Sequence, residues 1–169
     1  MELLIPGLIL VALMVWASTK IKKRAADAFE AEFIETETYS LQKPDGFLHV
    51  IGDEEHEFAA YSKEYGNGDN TGVRQATIEI DIFPDTDASG VVSSIESSSA
   101  TTDAKTESGN VIRLESAESA NEIAIRGFYK IVPTESRVYR LRFAVLHEHS
   151  DDYLEKIETT LDSFSVRTT

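Results

Sequence analysis

The sequence predicts an α+β domain, a mainly antiparallel sheet covered by helices, preceded by a single N-terminal transmembrane helix. Three observations predict it. Residues 3–18 read LLIPGLILVALMVWAS, an apolar run without a charge and close to the length a spanning helix needs. Two-residue alternation of apolar and polar side chains marks 75–83 and again 137–147, as half-buried strands require. Helical stripes occur only at intervals among these strands, without the regular strand–helix alternation of a doubly wound sheet.

The apolar run is followed by Lys20, Lys22, Lys23 and Arg24, whereas only Glu2 and the terminal amine carry charge before it. The positive-inside rule therefore places everything after residue 20 in the cytoplasm, with the basic collar at the anionic headgroups of a bacterial inner membrane. Pro6 fits a helix that starts there, since a first-turn proline lacks only an amide that would be unpaired anyway. The rival reading is a cleaved signal peptide and a periplasm-facing domain. It wants positive charge before the apolar core and a small-x-small cleavage site after it; here the charge is on the other side and no cysteine is available for lipid attachment. The expected division is an anchor at 1–19, a basic collar and helical stalk at 20–36, and one soluble domain at 37–169.

Setting aside the collar and Glu2, twelve of the sixteen Lys and Arg residues face twenty-nine of the thirty acidic ones, a charge of about −17. That surplus excludes nucleic acid, which needs concentrated positive charge. It also keeps a protein soluble and monomeric. With no cysteine there is neither a disulfide framework nor thiol chemistry.

Along the chain, Ala25, Ala26, Ala28 and Ala31 favour helix to about Glu32, with Phe29 and Phe33 on one face to dock the stalk against the domain. Thr38–Leu41 alternates and ends in Lys43-Pro44-Asp45-Gly46, a strand entering a turn. Phe58 and Tyr61 lie in the next extended run. The loop at 66–72 then leads into Gln75–Phe83, where Ile78, Ile80 and Ile82 alternate with Thr77, Glu79 and Asp81. That loop echoes a calcium-binding EF-hand, but the position for its bidentate glutamate is Ile78, so it reads as a hairpin loop.

Asp85 and Asp87 open a helix whose apolar stripe is Val91, Val92 and Ile95, and the polar tract from Ser97 to Ser108 reads as a loose end or loop. Three strands are expected at 111–115, 122–132 and 137–147. The last turns Tyr139, Leu141, Phe143 and Val145 one way and Arg140, Arg142 and Ala144 the other. Ser150 is the expected N-cap of a closing helix with Tyr153, Ile157, Leu161 and Phe164 on its inner face.

The segment VYRLRFAVLHEHSDDYLEKIETTLDSF, Val138 to Phe164, resembles the closing unit of the PsbP-like fold family: a long strand, a short break and a helix finishing in a Ser-Phe pair. YSLQKPDGF, Tyr39 to Phe47, is similar to the family's early strand and proline-glycine-aromatic turn. The resemblance implies an α/β/α sandwich used mainly for docking onto other proteins, often membrane complexes. It carries over no ligand residues, because the matching positions are core and turn residues.

Chemistry is thinly represented. His147 and His149 with Asp151 and Asp152 are the nearest approach to a metal cluster, but a third ligand is missing. No nucleophile elbow, phosphate loop or dinucleotide fingerprint occurs, so neither enzyme activity nor a cofactor is expected. Arg140 and Arg142, on the strand face opposite Leu141 and Phe143, are the candidate ligand-binding residues. They either bridge to acidic side chains of a neighbouring strand or line a cleft for an anionic group. The expected function is a non-catalytic accessory or scaffold module docking onto a membrane protein complex, the alternative a binding module for a small anionic or lipid-derived ligand.

Overall fold

A computed structural model describes Met14 and residues 27–62, 73–106, 109–120 and 122–167. The anchor and the collar Lys20, Lys22, Lys23 and Arg24, like the loop at 66–72, lie outside the described residues, Met14 excepted. Among the described residues no helix is long and apolar enough to cross a membrane.

The described residues form ten strands and two long α-helices, in the order β1 (Glu32–Glu35), β2 (Tyr39–Lys43), β3 (Leu48–Val50), β4 (Phe58–Tyr61), β5 (Ala76–Pro84), α1 (Ala88–Ser98), β6 (Thr101–Thr106), β7 (Ile112–Ala120), β8 (Ile123–Pro133), β9 (Arg137–Leu146), α2 (Ser150–Ser163) and β10 (Ser165–Val166). Seven of the strands form one sheet in the order β3-β4-β5-β9-β8-β7-β6, antiparallel at every pairing. A small sheet, β1-β2-β10, forms a separate hydrogen-bonded ladder. The α+β class and the antiparallel sheet are as expected.

The pleat of the large sheet separates two cores. Ile78 and Ile80 of β5 and Leu141, Phe143 and Val145 of β9 face α2 and the small sheet, where they meet Tyr39, Leu41, Phe47, Ile157 and Phe164. Ring edges lock this layer: Phe47 stands edge-on to Phe143 at 5.5 Å and to Tyr153 at 5.9 Å, spacings at which aromatic pairs attract. On the opposite face α1 lays Val91 and Ile95 over Leu114, Tyr129, Ile131 and Val138. Helices thus cover both faces, but α1 spans only the β7–β8 side.

Four expectations fail for physical reasons. The stalk helix does not reach Glu32: residues 32–35 form β1 and pair with β2, so sheet pairing overrides the alanine-rich propensity. Phe29 and Phe33, expected to dock, are exposed at 37% and 58%. The polar tract to Ser108 holds β6, an edge strand that satisfies its backbone against β7 without an apolar face. Ser150 is not the N-cap, a position taken by His149; its Oγ instead donates to the His147 carbonyl at 2.9 Å.

The turn after β2 keeps Gly46 at φ 82°, a left-handed conformation suited to glycine. Beside it Lys43 is fully buried, its ammonium donating to the carbonyls of Glu30 and Phe47. Burial pulls that ammonium below the usual lysine range, against the opposing pull of Glu32 and Asp45.

Candidate functional site

The polar residues of the large sheet gather on the face that α1 leaves open. Register puts them there: Glu79 lies opposite Arg142 and Asp81 opposite Arg140 across the β5–β9 pair, while Tyr129 of β8 lies opposite Arg142 on the other side. One transverse row therefore runs Tyr129–Arg142–Glu79, and the next carries Arg140 and Asp81. The cleft they line has a volume of about 380 Å³ and is edged by Ser94 and Ser98 of α1.

Arg142 is the hub. Its Nη1 donates to Glu79 Oε2 at 2.8 Å, its Nη2 to Glu118 Oε2 at 2.6 Å, and its Nε to the Tyr129 hydroxyl at 3.1 Å. Tyr129 in turn donates to Glu118 Oε1, as does Ser116 at 2.6 Å. Arg140 reaches Asp81 Oδ2 through Nη2 at 2.7 Å and through Nε at 3.2 Å, with its guanidinium 5.0 Å from the Phe83 ring centre. The other Asp81 oxygen lies 2.8 Å from His56 Nδ1. His56 is aimed by a local turn in which Asp53 Oδ1 accepts the backbone N–H of both Glu55 and His56.

Glu118 reaches Arg142 only because β8 has no side chain in the way. A Cβ at Gly127 would stand 2.3 Å from Glu118 Oε1 and 2.6 Å from Ser116 Oγ. Glycine here makes room for a carboxylate to cross over a strand.

These contacts set the protonation states. Desolvation would raise the Glu118 carboxyl, yet hydrogen bonds from Ser116 and Tyr129 and the Arg142 charge bring it below the ordinary range. Burial opposes the Arg142 cation, but Glu79, Tyr129 and Glu118 outweigh it and hold the group above its usual value. Tyr129 is raised, by burial first. His56 is raised despite burial, because the Asp81 hydrogen bond and the Glu79, Asp81 and Asp53 charges favour the imidazolium. Two guanidiniums face three carboxylates, and a protonated His56 completes the balance.

Arg140 and Arg142 therefore occupy one cleft and bridge to the acidic side chains of the neighbouring strand. Sequence reasoning brought these two together; it missed Glu118, Tyr129, Gly127 and His56. A second, larger hollow of about 560 Å³ adjoins the row, with Thr77, Ile123, Ile125 and Ala144 in its lining. His147 and His149 lie in a 3-10 turn before α2, His147 exposed and His149 Nδ1 3.4 Å from Asp152. Among the described residues no three His, Cys, Asp or Glu side chains converge as a metal site would need.

No protein-family model matches the sequence, and no curated protein matches it significantly. The fold has clear counterparts. LpqN of Mycobacterium tuberculosis, described as involved in cell envelope biogenesis, superposes with a TM-score of 0.56 at 12% identity over 82% of this chain and 91% of its own. The Ran-binding protein Mog1p of Saccharomyces cerevisiae gives 0.55 at 9% identity over 82% and 96%. Cyanobacterial PsbP, CyanoP, of Synechocystis gives 0.55 at 11% identity over 82% and 94%. A Bacteroides thetaiotaomicron structure matches at 0.50 and 15% identity; this chain spans 45% of its length. The architecture is thus the one shared by PsbP and Mog1p, as the two terminal motifs imply.

Proposed function

We propose that this chain is a single-pass, membrane-anchored, non-catalytic accessory module whose cytoplasmic domain docks onto a membrane protein complex. The observation that carries the reading is the junction: an uncharged apolar run, then four basic residues, then, eight residues beyond Arg24, Glu32 at the start of β1. So short a connection holds the domain beside the bilayer. The polar cleft adds support, because its charges are spent on one another and present no activated nucleophile. Mog1p, a Ran-binding protein, has a similar fold, which agrees with docking but does not determine it.

A small anionic or lipid-derived ligand at Arg140 and Arg142 has less behind it. Such a ligand would have to displace carboxylates that lie 2.6–2.8 Å from the guanidinium nitrogens.

The test combines alkaline phosphatase and fluorescent-protein reporters fused after Thr169, carbonate washing of membranes, and affinity capture from gently solubilised membranes. Cytoplasmic signal, retention in the washed membrane and a stoichiometric membrane-protein partner are expected. Phosphatase activity, release by carbonate or capture of the chain alone would overturn the proposal.

A further inference from the structure

We infer that the surface where β1 and β3 meet is the docking face, and that its partner is a Lys- and Arg-rich juxtamembrane loop of an integral membrane protein. This rests on the anchored reading above and adds the surface and the chemistry of the partner.

Charge is the first ground. Residues 27–57 contain ten carboxylates and a single lysine; that lysine, Lys43, is fully buried with its ammonium on backbone carbonyls. Glu30, Glu32, Glu35, Asp45, Glu54 and Glu55 are all exposed. Arg167 pairs with Glu35 and Lys156 with Asp45 from outside the segment, so the acidity of the surface rests on Glu30, Glu32, Glu54 and Glu55.

Apolar exposure is the second. Ile51 is 91% exposed, Phe33 58%, Leu48 41% and Phe29 37%, and all four belong to this segment. Buried in an interface, such residues act as anchors while surrounding charges set specificity. The segment is one surface because its strands adjoin: Glu32 of β1 lies 3.7 Å from His49 of β3, and the Gly46 amide donates to the Phe29 carbonyl at 2.7 Å. Each strand is also the free edge of its sheet.

Position is the third. Phe29 is five residues beyond Arg24, at most about 18 Å of extended chain. The acidic, apolar-studded surface is thus held within reach of the headgroup zone on the side where the positive-inside rule concentrates Lys and Arg in the loops of other membrane proteins. An anionic bilayer offers the wrong charge to this surface, and a second copy would bring carboxylates against carboxylates.

The full chain is placed in phosphatidylcholine nanodiscs with a synthetic peptide of one leucine-rich span, flanked on the domain side by either four basic or four glutamate residues. A photo-reactive benzoylphenylalanine replaces Ile51, Phe33 or, as a control on α2, Leu154. From positions 51 and 33 the adduct with the basic-flanked peptide is expected to exceed that with the acidic-flanked one about fivefold. The preference should vanish at 1 M salt, where the screening length falls to about 3 Å. Glu54→Lys with Glu55→Lys should reduce the adduct by a similar factor. Equal labelling of both peptides, equal preference at position 154, or adducts confined to lipid, to residues 20–24 or to a second copy would overturn the inference. Release of the chain by carbonate overturns the anchored reading itself; retention without a charge-selective adduct overturns only the docking face.

Discussion

Replacing Gly127 with alanine tests whether the cleft is organised as the geometry indicates. The added Cβ would lie 2.3 Å from Glu118 Oε1, 2.6 Å from Ser116 Oγ and 2.8 Å from a Tyr129 ring carbon. Gly127 does not have a positive φ, so the alanine backbone is unstrained and the cost falls on the neighbours. The readiest response is withdrawal of Glu118 from Arg142 and Tyr129. A hydrogen bond to a charged group contributes about 1.5–3 kcal/mol, while alanine in place of strand glycine returns about 0.5–1 kcal/mol of chain entropy. The net loss is therefore about 1–2 kcal/mol. With a urea slope of about 2 kcal/mol/M, the unfolding midpoint of the detergent-solubilised chain should fall by about 0.5–1 M.

Two controls make that number diagnostic. In a Glu118→Ala background the substitution has lost its main opponent, so the double-mutant cycle should show coupling of about 1 kcal/mol. The pH dependence follows from the depressed Glu118 carboxyl: its stabilisation is present above the ordinary glutamate value of 4.5 and is lost as pH falls through the folded-state value. The gap between the parent chain and Gly127→Ala should be widest above that value and close in acid. Parent-like stability, additive energies in the cycle or a gap unchanged in acid would each refute the reasoning.

Other predictions concern separate parts of the molecule. His56 is raised, so its stabilisation is complete below the ordinary 6.5 and lost as pH rises through the folded-state value; His56→Gln should remove that slope from denaturation midpoints between about pH 5.5 and 8.5, and an unchanged slope would assign it to another group. Lys43→Met leaves the Glu30 and Phe47 carbonyls without their donor and should cost about 1–3 kcal/mol in thermal unfolding; a stabilised variant would mean that burying the ammonium costs more than its bonds return. Asp87 caps α1 by accepting from the Gly90 amide at 2.8 Å. Asp87→Ala should cost about 1 kcal/mol and speed amide exchange in α1, with no change in β9.

Where the chain alternates strictly, its structure was legible. Ile78, Ile80 and Ile82 in β5, and Tyr139 to Val145 in β9, each bury one face, and a one-residue slip would expose all of them. The strands that stayed hidden are those for which burial makes no such demand. β6 is an edge strand of threonine, aspartate and lysine, and β10 has two residues; their pairing with β7 and β2 is settled by tertiary contact. β1 lies in a stretch that its alanines mark as helical, yet Ile34 enters the core once β2 is beside it. The cleft divides in the same way. Arg140 and Arg142 alternate against Leu141 just as Glu79 and Asp81 alternate against Ile80, so both charged faces were legible; that the two strands are neighbours, which turns complementary signs into ion pairs, comes from the register of the sheet. Glu118 could not be found by that logic, because it sits one strand further out and reaches Arg142 diagonally over Gly127. The glycine was the available signal: in a strand that otherwise carries large side chains, an interior glycine marks a place where another group passes close to the backbone.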